Sequence, residues 1–285
     1  MKSSTQLKAL IRNLAKEKNI NAQILMRNYM LERLLERISL SKYRFNFVLK
    51  GGMLVAAMVG LDARATIDMD ATIKGYPLSE ESVKGIFEEI LAVPIDDGTQ
   101  MRIKHIDAIR DEANYNGLRV SLEAIFDGIR TSLKIDITAG DKITPREISY
   151  RFNLMLEDRQ IDIFAYNLET VLAEKLETVI SRGITNTRMR DFYDIFILLK
   201  MHSDSLDKEL LAKALASTAE NRGTSGSFAD GRVIIDEVSK DIPMQGLWES
   251  YRKKYSYAED ISWDEMMAAV LDLWGYIFSA PTSGI

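Results

Sequence analysis

Lys50-Gly51-Gly52 closes an apolar run, and Asp68-Met69-Asp70 follows sixteen residues after the second glycine. Glycines carry no Cβ, so their backbone can approach a phosphate closely and offer N–H groups to it. Two carboxylates one residue apart on a strand share a face and can hold Mg²⁺, which prefers carboxylate and phosphate oxygens. These are the parts of a nucleoside-triphosphate site. A third acid, Asp136, stands on the polar side of the apolar run 131–138. A last group lies further on: Glu174-Lys175 in one helical segment, then Arg188-Met189-Arg190-Asp191-Phe192-Tyr193-Asp194 in the next. Asp191 and Asp194 are three apart and so share a helix face.

Each piece alone has a plainer account. A glycine pair makes a turn, a D-x-D run or a lone strand Asp decorates a solvated face, and two acids complement a helix N-terminus. The order in which they occur is more specific than any of them.

The elements that must position these residues follow from periodicity. Leu7, Leu10, Ile11 and Leu14 predict a helix over 4–18; Leu31, Leu34, Leu35 and Ile38 predict another over 21–40, capped by Asn21. Residues 45–49 read as a short strand, Gly51-Gly52 as a turn, and 53–59 as a short helix. Residues 64–73 alternate, with Ile67, Met69, Ala71 and Ile73 on one face and Thr66, Asp68, Asp70 and Thr72 on the other. A helix over 79–91 precedes strands at 100–109, 118–126 and 131–138, the last two joined at Asp127-Gly128, and strands at 151–156 and 161–164. From 167 the pattern is helical: 167–180, 188–201, 207–221, 230–240, 245–256 and 262–279, the last opened by a Ser262/Glu265 capping box. Residues 221–227 read as a flexible loop. The expected organisation is an α+β domain over 1–165 and a helical domain over 166–285 that contributes Lys and Asp motifs.

Composition excludes several alternatives. The chain has 285 residues, a net charge of −5, no cysteine and two histidines. Disulfides and thiolate metal sites are ruled out, and a His-rich zinc centre or a Ser-His-Asp triad is disfavoured. No apolar run approaches the ~20 residues that span a bilayer, and the charged N-terminal segment does not resemble a secretion signal. A cytoplasmic protein is expected.

The combined motifs resemble the AbiEii/AbiGii family of type IV toxins, nucleotidyltransferase-like proteins of toxin–antitoxin and phage-defence systems related to the MenT toxins. The matching residues are Lys50-Gly51-Gly52, Arg64-Ala65-Thr66-Ile67-Asp68-Met69-Asp70, Lys134-Ile135-Asp136, Ala173-Glu174-Lys175 and Arg190-Asp191-Phe192-Tyr193-Asp194. The resemblance covers roughly residues 45–200 and implies a DNA polymerase β-like nucleotidyltransferase fold. Gly52 stands where that superfamily often has serine, so backbone N–H groups take over a hydroxyl's contact with phosphate.

The resemblance also implies roles. Asp68, Asp70, Asp136, Lys175 and Asp191 carry over as catalytic residues, with Asp68, Asp70 and Asp136 as ligands of Mg²⁺. Lys50, Gly51, Gly52, Thr66, Lys175 and Arg190 border the nucleotide. Asp194 and Tyr193 brace the helix. The implied activity is Mg²⁺-dependent transfer of a nucleotide from an NTP to an acceptor, the tRNA 3′ end foremost, with a cognate antitoxin as partner. A protein or small-molecule acceptor is the second reading, and a non-catalytic nucleotide-binding module the third.

Overall fold

The computed structural model describes residues 3–109 and 117–278. Met1, Lys2 and residue 279, the expected end of the last helix, lie outside them. The chain divides into two compact units, Met1–Asp141 with Glu147–Tyr166, and Lys142–Arg146 with Asn167–Ile285.

The first unit runs α1 (Ser4–Lys18), α2 (Ala22–Leu40), β1 (Phe47–Lys50), α3 (Gly51–Val59), β2 (Met69–Ile73), α4 (Glu80–Leu91), β3 (Thr99–Ile109), β4 (Gly117–Phe126), β5 (Ile129–Ala139), β6 (Ile148–Asn153) and β7 (Gln160–Ala165). Its strands form one mixed sheet in the order β3-β4-β5-β2-β1-β7-β6. β1 is antiparallel to β2 and parallel to β7, and β2 is parallel to β5. Met69, Ala71 and Ile73 of β2, with Leu133, Ile135 and Ile137 of β5, are buried, as are Leu31, Leu34, Leu35 and Ile38 of α2. Burying these apolar faces against one another supplies most of what holds the unit together.

α2 also buries charge, which its apolar spacing does not announce. Glu32, Arg33, Glu36 and Arg37 are all nearly inaccessible. Arg37 donates to both carboxylate oxygens of Asp97 at 2.7 and 2.9 Å, and Arg159 reaches Glu36 at 2.5 and 2.9 Å. Glu32 accepts from the Met155 backbone N–H at 3.0 Å, while its other oxygen has no hydrogen-bond partner. Burial pushes its carboxyl up to about 8, against the Met155 hydrogen bond and Arg33, which pull it down. A carboxyl raised in the folded state binds more protons there than when unfolded, so stability falls as pH rises from about 4.5 through about 8. Glu32→Gln is expected to remove that slope and to raise stability at pH 8.5. Urea melts across pH check it, and a variant with the wild-type slope would contradict the assignment.

Two sequence expectations on this unit are corrected. The strand expected over 64–73 is only Met69–Ile73. The Asn28 side chain donates to the Thr66 carbonyl at 2.8 Å, and the Thr66 hydroxyl donates to the Asp68 carbonyl at 3.3 Å. These bonds take polar groups that a strand would offer to its neighbour, and Ile67, expected inside, is 42% exposed. Gly51-Gly52 is not a turn before a helix but the helix's first two residues.

The second unit is helical: α5 (Leu168–Arg182), α6 (Met189–His202), α7 (Lys208–Arg222), α8 (Gly231–Lys240), α9 (Ile242–Lys254) and α10 (Trp263–Phe278). Asn167 caps α5 by accepting from the Thr170 N–H at 2.8 Å, and its amide donates to the Thr144 carbonyl at 2.6 Å. The Ser262/Glu265 capping box forms as expected. The expected loop 221–227 is partly helical: α7 runs to Arg222, Gly223 ends it in the left-handed region, and Ser225–Phe228 make a 3₁₀ turn. α5 packs on α6 and α7, and α10 packs on α6 and α8. Gly231 has no room for a side chain, since a Cβ would stand 2.3 Å from the Trp274 indole.

Candidate active site

Three neighbouring strands of the first unit bring three motif residues into register. Lys50 of β1 stands opposite Asp70 of β2, and Asp70 stands beside Asp136 of β5. Gly51 and Gly52 follow Lys50 directly and open α3. A helix N-terminus presents unbonded N–H groups and partial positive charge. One of them, the Gly52 N–H, points at the Asp70 carboxylate, 3.4 Å from Oδ2.

Glycine is required here on two counts. Gly51 has φ +64°, and a Cβ at this residue would fall 2.2 Å from Asp70 Oδ2. At Gly52 a Cβ would lie 2.9 Å from Thr66 Oγ1. The glycine pair therefore lets the chain pass directly over Asp70 and Thr66. Gly51→Ala is expected to cost about 1–2 kcal/mol through φ alone. It also displaces the Asp70 carboxylate, so that activity falls far more than stability. Paired urea melts and transfer assays read the split. An alanine variant of full activity would show the contact to be unimportant.

Asp68 sits just before β2, at its entrance. Burial pushes its carboxyl up, with Asp70 and then Asp136 pushing in the same direction, and Lys134 and Arg119 opposing. The three acids repel one another, and a cation set beside them would relieve that repulsion. Asp136 is already engaged: Arg119 donates to both its oxygens, each at 2.7 Å. Lys50 is held by Asp141 at 2.7 Å, whose Oδ2 also accepts from the Thr138 hydroxyl. The Lys50 ammonium lies 5.6 Å from the Tyr166 ring centre. Arg119 and Asp141 escaped the sequence reading. A cation opposite the acid on the next strand, and an acid just past β5, were the available signals.

Among the described residues no group of three or more His, Asp or Glu side chains is arranged around a metal position. Mg²⁺ in phosphate chemistry takes one or two carboxylates and fills its other positions with phosphate oxygens and water. Asp68 and Asp70, adjacent and mutually repelling, fit that requirement. Asp136, with both oxygens on Arg119, is arranged as the anchor of a guanidinium.

The second unit carries its own cluster. Lys175 of α5 lies 2.6 Å from Asp191 Oδ1 and 3.1 Å from Asp194 Oδ2, both on α6. Burial alone pushes the ammonium down, but Asp191 and Asp194 outweigh it and raise it overall, with Arg190 opposing. The three-residue spacing of the acids thus puts both on one lysine. Tyr193 is buried against Tyr257, with ring centres 4.9 Å apart. Arg190 is exposed.

Mixed sheet, helix-opening glycine pair and registered aspartates define a nucleotidyltransferase fold. The chain has a TM-score of 0.50 to a crystal structure of an H. pylori protein described as a nucleotidyltransferase, at 15% identity, covering 90% of this chain and 96% of the other. A second Helicobacter pylori structure, JHP933, gives 0.49 at 15% identity, covering 90% and 94%. No protein of curated function matches. The chain belongs to the AbiEii family, described as nucleotidyl transferase toxins of type IV toxin–antitoxin systems, whose sequence model matches residues 33–269. It is a nucleotidyltransferase of the toxin class, and its family implies an antitoxin partner. Among the described residues no helix is long and apolar enough to cross a membrane.

Proposed function

We propose that this toxin transfers a nucleotide from an NTP to the 3′ end of tRNA, in a Mg²⁺-dependent reaction that stops growth and serves phage defence. The observation that carries the reading is the fit of the Gly51-Gly52 backbone over Asp70, with Asp68 and Asp136 beside it. The glycine N–H groups at the head of α3 bind triphosphate oxygens, and Lys50 and Thr66 border them. Asp68 and Asp70 hold Mg²⁺, which when bound neutralises charge on the triphosphate. Asp136 keeps Arg119 aligned, and that guanidinium offers a further contact to phosphate. In the second unit Asp191 and Asp194 keep Lys175 charged, and Lys175, with the exposed Arg190, is assigned to phosphate charge. The 1–165 and 166–285 segments serve as the catalytic and helical domains of this reading.

The test is direct. The protein is incubated with Mg²⁺, each labelled NTP in turn, and either total tRNA or cell protein. Label on tRNA that disappears with EDTA supports the reading. Label confined to protein, or no label while nucleotide still binds, refutes it.

A further inference from the structure

The polar face of the sheet extends well beyond Asp136. Along β5, Asp136, Lys134, Ser132 and Arg130 alternate with the buried Leu133, Ile135 and Ile137. Their partners on β4 are Arg119, Ser121, Glu123 and Ile125, whose partners on β3 are Asp107, His105, Arg102 and Gln100. Directly opposed residues of a ladder share a face, so these are four rungs of one surface. Lys104 is an extra residue where the register shifts between Ile103 and His105, a bulge.

Arg102, Lys104, Arg130 and Lys134 are all exposed. Glu123 is the acid among them. It accepts from Arg102 Nε at 2.9 Å and lies 3.5 Å from Arg130. Its carboxyl is held below the usual range chiefly by Arg102, with Lys104 and Arg130 adding. Four cations therefore stand against one carboxylate, in a chain whose net charge is −5. Arg119 cancels Asp136, and on the same rung Asp107, with His105 at 3.2 Å, adds one acid at the β3 edge. The patch is continuous with the carboxylates, because Lys134 stands two residues from Asp136 on the same face of β5 and Asp136 pairs with Asp70 of β2. A strand advances about 3.4 Å per residue, so Arg130 lies roughly 20 Å from Asp136 along β5. Beyond the β3 edge, Glu80, Glu81, Lys84 and Glu88 of α4 share an open groove with Arg102 and Lys104, and Lys84 lies 3.8 Å from Glu88, so that border carries a net acidic charge.

We propose that the exposed face of β3, β4 and β5 is a backbone track for a nucleic-acid acceptor, with its phosphates on Arg102, Lys104, Arg130 and Lys134. The inference rests on the transferase reading above and deepens it. An acceptor strand must bring one terminal hydroxyl to the Asp68–Asp70 carboxylates while the rest of its backbone trails away. A cationic row that ends at those carboxylates meets this need. An acidic protein would match the charge but gives no reason for the row to end there.

The experiment uses the full-length protein and its triple variant Arg102→Gln, Arg130→Gln, Lys134→Gln, all at exposed positions. Binding of end-labelled total tRNA is followed by fluorescence anisotropy across a salt series. The expected result is affinity at least tenfold weaker at low salt, with the slope of log K against log salt reduced by about 2–3. NTP binding, read by thermal shift, stays at the wild-type value. A control pair, Lys213→Gln and Lys253→Gln, changes neither. An unchanged affinity and slope in the triple variant would overturn the inference. So would tRNA binding that survives while binding of polyglutamate is lost, since the face then serves an acidic protein. The two readings fail separately: tRNA bound through this face but never labelled refutes the transferase assignment alone.

Discussion

Asp70→Asn is expected to lower nucleotidyl transfer about a thousandfold, the upper scale for removing one preorganised charge-stabilising group, while leaving the fold intact. Asparagine has the shape of aspartate, so the space under Gly51 stays filled, and its carbonyl oxygen can still accept from the Gly52 N–H. What disappears is the charge that pairs with Asp68 to attract a cation. The melting temperature should therefore move little while the turnover rate collapses, and Mg²⁺ should lose its effect on the melt. A variant within threefold of wild type would remove Asp70 from the reaction. Asp136→Asn supplies the comparison. If Asp136 serves as the anchor of Arg119, its loss is matched by Arg119→Met, because either change breaks the same bidentate pair.

The largest expected effect on stability lies at Lys175. Lys175→Met leaves Asp191 and Asp194 facing each other almost without solvent, with side chains 6% and 0% exposed. Removing one partner of a buried charge group typically costs about 3–5 kcal/mol. The pH dependence gives a signature that a packing defect would lack. In the wild type the ammonium is raised above its usual 10.5, so its stabilisation is complete below that value and is lost as pH rises through the folded value. In the variant the two buried carboxylates repel each other with no ammonium between them, which favours protonation, and stability should recover on acidification toward pH 5. Urea melts at pH 5 and pH 8 decide it: a deficit equal at both pH values would rule out charge as the cause. The result also bears on activity, because a lysine that holds α5 and α6 together cannot be assigned to phosphate from loss of function alone. Lys175→Arg, which keeps the charge, separates the two roles.

How much of this was visible in the sequence depends on how local the cause is. The amphipathic helices, the β4–β5 hairpin and the Ser262/Glu265 cap follow from spacing and short-range chemistry, and they stand where expected. The D-x-D pair was legible, but its setting was not. Simple alternation carried β2 back to residue 64, while the Asn28 side chain, distant in sequence, holds Thr66 out of the ladder. The buried charges of α2 were invisible for the same reason. Arg37 finds Asp97, and Arg159 finds Glu36, only once the chain has folded. At the site, Asp136 was legible as an acid on a polar strand face, but its bond to Arg119 depends on the β4–β5 register. Strand alternation placed Asp70 and Asp136; register and long-range hydrogen bonds decided what each one touches.

The contact between Gly51 and Asp70 has a consequence for how sequences of this kind can change. A Cβ at residue 51 collides with the carboxylate of residue 70, not with backbone. The intolerance of position 51 is therefore partly conditional on position 70. In an Asp70→Gly background, already without activity, Gly51→Ala should keep its φ penalty and lose its steric one. The two substitutions are thus epistatic and ordered: a lineage that abandons the chemistry first becomes free to lose the glycine, while one that loses the glycine first forfeits both at once. Drift in an inactive copy of this gene should reach residue 70 before it reaches residue 51.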